Sequence, residues 1–135
     1  GVDLATVRVE VDTFTPSDGQ DSRMGLLCRF QDNQNFYFFT ISADGYIGIG
    51  KVKDGQCSLL SGEQLQTHAA ILTGAQVNHL RADCIDRLYI FYANDQLIGS
   101  AEDPDFTSGD VGVLAGTFGV PGADVYFDDF VVLKP

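Results

Sequence analysis

Glycoside hydrolysis needs two carboxylates facing each other, about 5 to 10 Å apart. The sequence has only three glutamates to offer, Glu10, Glu63 and Glu102, beside 16 aspartates. Glu10 and Asp12 fall on one face of a strand-like segment, but that segment is the first of the chain. Asp128 and Asp129 are adjacent, so a regular strand turns them to opposite faces. His68 and His79 have no Ser or Cys partner visible in the sequence, as nucleophilic catalysis would require. With no catalytic constellation, the expectation is that the chain is not an enzyme.

Binding chemistry is better represented. Sugar sites stack an aromatic ring on the pyranose face and surround it with polar side chains. Trp is absent, which leaves five tyrosines for that role. Tyr37 and Phe39 share a face of one segment, Tyr46 opens the next, and Tyr89 and Phe91 share a face of a later one. Arg29 and Lys51 lie on segments that neighbour these. The patch Arg29, Tyr37, Lys51 and Tyr89 is therefore the candidate ligand-binding set, with a charge suited to an acidic or hydroxyl-rich ligand. The competing reading is that these aromatics belong to the core.

The formal net charge is −11, carried mostly by aspartate. Asp favours turns because its short side chain bonds nearby backbone N–H groups. An Asp-heavy acid count fits a β protein whose loops hold the charge. It serves solubility, or it builds calcium sites, since hard cations want clustered oxygens. Asp18–Asp21 and Asp103–Asp105 are acid-rich loops of that kind. The eight basic residues are scattered and the overall field repels phosphate, so nucleic acid is not an expected partner. No apolar run approaches the roughly 20 residues that span a bilayer, so no membrane insertion is expected.

Cys28, Cys57 and Cys84 form no CxxC pair, which argues against zinc. One disulfide plus one thiol allows three pairings. Cys28–Cys84 is favoured, because both lie in strand-like segments and Cys57 in a loop-like one; three buried free thiols are the alternative. A disulfide fits an extracellular or cell-surface setting. The chain opens on a strand pattern and shows no leader, so it reads as one domain over residues 1–135, excised from a larger secreted or anchored protein.

The elements that must position these residues are strands. Val7, Val9 and Val11 alternate with Arg8, Glu10 and Asp12, the period of a half-buried strand. In Met24–Phe30, Leu26, Cys28 and Phe30 share one face and Leu27 and Arg29 the other. Phe36–Ile41 is apolar on both faces and reads as central. Tyr46–Val52, a short piece near Ser58–Leu60, Gln76–Cys84, Leu88–Ala93, Gln96–Ala101, Val111–Gly116 and Val125–Leu133 complete the set. Asp44-Gly45, Asp54-Gly55 and Asn94-Asp95 mark tight turns between them. Ser61–Ala70 is ambiguous between a short helix and an extended piece. About ten short strands with no intervening helical pattern give an all-β, two-sheet antiparallel sandwich.

The ordered set Gly25–Arg29, Asn35–Phe38, Asp44–Tyr46, Gly50-Lys51, Asn78–Leu80, Tyr92–Asp95, Gly109–Gly112 and Val125–Phe130 resembles the concanavalin A-like lectin/glucanase superfamily. More narrowly it is similar to the laminin-G-like and 3-keto-disaccharide hydrolase-like jelly rolls of bacterial surface proteins. That resemblance implies a jelly roll. Glucanases of this kind carry an E-x-D-x-(x)-E strand, which this chain lacks. In related carbohydrate domains an Asp of the last strand helps hold a structural calcium, and Asp128 is the matching position. The implied function is a non-catalytic extracellular recognition module for a glycan or cell-surface polymer. A structural or adhesion domain contacting protein or self-associating is the alternative, and an accessory domain of a glycoside-processing enzyme is the third.

Overall fold

The computed structural model describes residues 5–14, 22–42, 45–62, 66–73, 76–117 and 126–133. Among these residues eleven strands form: β1 (Val7–Phe14), β2 (Ser22–Asp32), β3 (Asn35–Ser42), β4 (Tyr46–Lys53), β5 (Gln56–Leu59), β6 (Gln66–Thr67), β7 (Val77–Ile85), β8 (Leu88–Ala93), β9 (Gln96–Glu102), β10 (Asp110–Thr117) and β11 (Tyr126–Leu133). They make two sheets, one of five strands in the order β11-β1-β7-β8-β9 and one of six in the order β10-β2-β3-β4-β5, with β6 paired to β4. Every pairing is antiparallel. Among the described residues there is no helix. The ambiguous stretch after Leu60 contributes the two-residue strand β6 instead.

Alternation places the core. Val7, Val9 and Val11 of β1 are buried, as are Leu80, Ala82 and Cys84 of β7 and Tyr89, Phe91 and Ala93 of β8. They meet Met24, Leu26, Cys28, Tyr37, Phe39, Ile41 and Ile49 from the other sheet. The β3 strand is buried on both faces from Tyr37 to Ser42, as its central place requires. The tight turns have the chemistry that the sequence advertises. Asp54-Gly55 and Asn94-Asp95 have positive φ at both residues, the mirror-image turn that suits strand twist.

A disulfide joins Cys28 of β2 to Cys84 of β7, tying the two sheets together through the middle of the core. Cys57 sits in strand β5, not in a loop, and is an exposed free thiol.

The β2 strand departs from the simple alternation. Its register with β3 shifts between Cys28 and Asp32, and that of β10 with β2 shifts between Asp110 and Gly112. Arg29 takes a left-handed φ of 51° inside this bulge. A bulge inserts a residue and re-aims the side chains around it. Arg29 therefore points into the molecule after inward-facing Cys28 and is 1% exposed, instead of facing outward beside Leu27.

Candidate functional site

The four residues of the candidate ligand patch meet at one end of the sandwich, but not as an exposed platform. Tyr37 and Tyr89 are both fully buried, their ring centroids 4.2 Å apart. Neither offers a face for a sugar, because Tyr37 stands on the inner face of one sheet and Tyr89 on the inner face of the other. Each buries its ring between the sheets and keeps its hydroxyl for the end of the barrel-like gap.

Those hydroxyls anchor the loop 103–109 between β9 and β10. Tyr37 donates to Asp103 Oδ2 at 2.6 Å and accepts from the Phe106 N–H at 3.2 Å. Tyr89 donates to the Phe106 carbonyl at 3.2 Å. Burial, then the bonds to Asp103 and Tyr89, push the Tyr37 hydroxyl well above the ordinary phenol range, so it stays protonated as a donor. Burial does the same for Tyr89, opposed by its neighbours Tyr37 and Arg29. Lys51 binds Asp103 Oδ1 at 3.0 Å and also pairs with Asp105, which Lys53 reaches at 3.3 Å. Asp103 and Asp105 are thus paired with lysines.

Arg29 is the hub. Its Nη1 donates to Tyr89 Oη at 2.6 Å, to the Phe106 carbonyl at 3.0 Å and to the Asp86 carbonyl; its Nη2 donates to the Ala5 carbonyl at 2.6 Å. Its Nε is buried without a partner among the described residues. Gly109 lets the loop close against this bulge. With φ at +154°, an added Cβ there would lie 2.5 Å from the Arg29 carbonyl carbon.

Above Arg29 opens a pocket of about 340 Å³. Thr6 lines it before β1, Asp86 and Arg87 from the β7–β8 turn, and Pro104 and Thr107 from the 103–109 loop. Asp86 adopts the left-handed φ of 53° that this turn needs. The volume falls within the range of ligand pockets, about 300 to 1,000 Å³. The sequence signalled Arg29 but not Arg87, Thr107 or the turn carbonyl of Asp86, whose approach depends on three separated segments.

A second polar cluster covers the outer face of the five-stranded sheet. The Arg8 and Arg81 side chains both bond Asp83, at 3.1 and 2.8 Å. Burial works against the Asp83 carboxylate, but the two guanidinium groups outweigh it and hold its pKa below the usual value. Farther along, His79 bridges Glu10 at 2.8 Å and Asp12 at 2.7 Å. Glu10 and Asp12 do share a face, and that imidazole occupies the space between them. His68 accepts a bond from the Ala70 N–H at 3.0 Å and stands apart.

Asp128 lies opposite Asp12 in the β1–β11 pairing, and its Oδ1 accepts from the Asp129 N–H at 2.8 Å. Among the described residues no three His, Cys, Asp or Glu side chains are grouped to hold a metal ion. The acid-rich loop Asp18–Asp21 lies outside the described residues.

No family model and no curated protein sequence matches the chain. Solved structures do match over nearly its whole length. The carbohydrate-binding module CBM66 from Bacillus subtilis superposes with a TM-score of 0.80 at 18% identity, over 98% of this chain and 77% of that one. The chain has the concanavalin A-like sandwich fold. Sheep galectin-11, in complex with glycerol, matches with a TM-score of 0.69 at 15% identity, over 96% of this chain and 90% of the galectin. The GH43 protein BlXynB from Bacillus licheniformis matches with a TM-score of 0.73 at 15% identity, over 97% of this chain but 28% of that protein. At these identities the concanavalin-like likeness is one of fold, and function must be argued from the site.

Proposed function

We propose that this chain is a non-catalytic carbohydrate-binding module that takes the end of a glycan into the pocket above Arg29. The observation that carries the proposal is a preformed cavity on rigid supports. Arg29 is fixed by four bonds, and the loop 103–109 is tethered by Tyr37, Tyr89 and Lys51. Such a site binds without first ordering its walls, which lowers the entropic cost of association. The structural neighbours that are carbohydrate-binding modules and lectins support the same ligand class. Among the described residues Asp86 is the one carboxylate of the lining, whereas hydrolysis needs two, and this favours binding without chemistry. The Cys28–Cys84 disulfide supports an extracellular or cell-surface setting. The 28% coverage of the GH43 protein is compatible with a module that serves as an accessory domain of a glycoside-processing enzyme.

Calorimetric titration with a panel of oligosaccharides tests this. Binding that disappears in Arg87→Ala, with an unchanged melting temperature, supports it. Binding unaffected by Arg87→Ala moves the site elsewhere, and no binding of any saccharide at millimolar concentration removes the reading.

One observation favours self-association as a second reading. Among the described residues the β11 strand is a sheet edge, and its Phe130, Val131, Val132 and Leu133 are each 40 to 43% exposed. An unpaired apolar edge is a template for another strand, here that of a second copy. Light scattering of the protein and of Val132→Lys decides it: a dimer that dissociates in the variant supports the contact, and a concentrated monomer rules it out.

A further inference from the structure

We infer that the ligand in the Arg29 pocket carries an oxyanion, a ring carboxylate as in a uronic acid; the inference rests on that pocket being the glycan site proposed above. Arg8 and Arg81 meet the Asp83 carboxylate, and Lys51 and Lys53 meet Asp105. Arg29 is different. It is 1% exposed, and all its described bonds go to neutral oxygens, three main-chain carbonyls and the Tyr89 hydroxyl. Arg87, at the rim of the same pocket, forms no ion pair among the described residues. Two guanidinium groups without a described carboxylate partner therefore line one cavity in a chain whose formal charge is −11.

Burying a guanidinium without a counter-charge is costly, because the low-dielectric interior replaces its water with weaker dipoles. An incoming carboxylate recovers much of that cost, whereas a neutral hydroxyl recovers little. Arg29 acts on the ligand through its field from the floor, where poor screening extends its reach. Arg87 is exposed, and with no ion-pair partner among the described residues it can make the direct contact. A planar carboxylate suits it, since guanidinium presents paired donors at matching spacing. Asp86 is the one opposing charge of the lining among the described residues. It is an exposed turn residue, where water and salt screen its side chain, and its carbonyl is turned toward Arg29.

The test is calorimetric titration of the whole chain with oligogalacturonate and oligomannuronate, each beside its methyl ester, and with neutral oligosaccharides. The expected result is an acid form that binds about tenfold more tightly than its ester, the scale of one charge-assisted bond. That preference should vanish in Arg87→Gln and weaken at high salt. Equal affinity of acid and ester, or binding of neutral sugars alone, overturns the inference and leaves the glycan reading standing. A preference that persists in Arg87→Gln also overturns it, because the anion then sits elsewhere. No binding by any saccharide removes the glycan reading, and the inference with it.

Discussion

The Arg29 guanidinium of one sheet donates to the Tyr89 hydroxyl of the other at 2.6 Å. Replacing Arg29 with Met removes every donor of that hub at once. The carbonyls of Ala5 and Asp86 and the Tyr89 oxygen would lose the Arg29 donor, while the Phe106 carbonyl would keep its bond from the Tyr89 hydroxyl. Each unsatisfied buried acceptor costs about 1 to 3 kcal/mol. Relief from burying the charge offsets part of this, so the expected loss is roughly 2 to 4 kcal/mol. Urea denaturation of Arg29→Met measures it, and a midpoint equal to wild type would show that the hub contributes nothing.

Both ring nitrogens of His79 contact carboxylate oxygens. A neutral imidazole has one N–H, so only the imidazolium donates to both. Burial disfavours that charge, but Glu10 and Asp12 outweigh it and raise the pKa above 6.5. A raised folded-state pKa means that the stabilisation is full below the unfolded value and is lost as pH climbs through the folded one. His79→Gln should therefore melt lower than wild type near pH 6 and close to it near pH 9. The gap should stay below about 1 kcal/mol, because the pair is partly solvated. A gap of constant size across pH would contradict the bridge.

The Cys28–Cys84 bond closes a segment of 56 residues by sequence separation. Chain-entropy reasoning gives about 4 kcal/mol for a loop of that length, by restricting the unfolded chain. Replacing both cysteines with Ala should lower the denaturation free energy by at least that much, since two buried sulfurs also leave space behind. A thiol count should find one free group, Cys57, before reduction and three after it. Three thiols without reductant would mean that the bridge does not form.

Asp128 faces Asp12 across the strand pairing, and its charge is the first cause of a raised Asp129 carboxyl pKa, followed by burial and Asp12. A raised folded-state pKa on an acid means that like-charge repulsion opposes folding once the group ionises. Asp128→Asn should raise the melting temperature at neutral pH, and the gain should fade as pH falls through the carboxylate range. A structural calcium at Asp128 makes the opposite prediction: added calcium would stabilise wild type, EDTA would reverse it, and Asp128→Asn would abolish the effect.

Strand positions were legible because burial alternates with a period of two, which is a local property. Val7, Val9 and Val11 announce their face, and the turn pairs Asp54-Gly55 and Asn94-Asp95 announce their geometry. The burial of Tyr37–Ile41 on both faces followed from the lack of polar alternation in that stretch. The short β6 strand was not legible, because two residues carry no period. The patch residues were picked by type, but exposure is set by what packs opposite a residue, and the sequence around Tyr37 does not state that Tyr89 covers it.

The sequence by itself determined an antiparallel all-β sandwich, its tight turns and its acidic surface, because these follow from side-chain period and backbone preference within a few residues. Tertiary structure alone decided that Arg29 turns inward, since its bulge exists only in the pairing of β2 with β3 and β10. It also decided that two tyrosines are pillars and not platforms, and that Thr6, Arg87 and Thr107 share one cavity. Desolvation and convergence depend on segments up to a hundred residues apart in the chain, and no local pattern records which of them will meet.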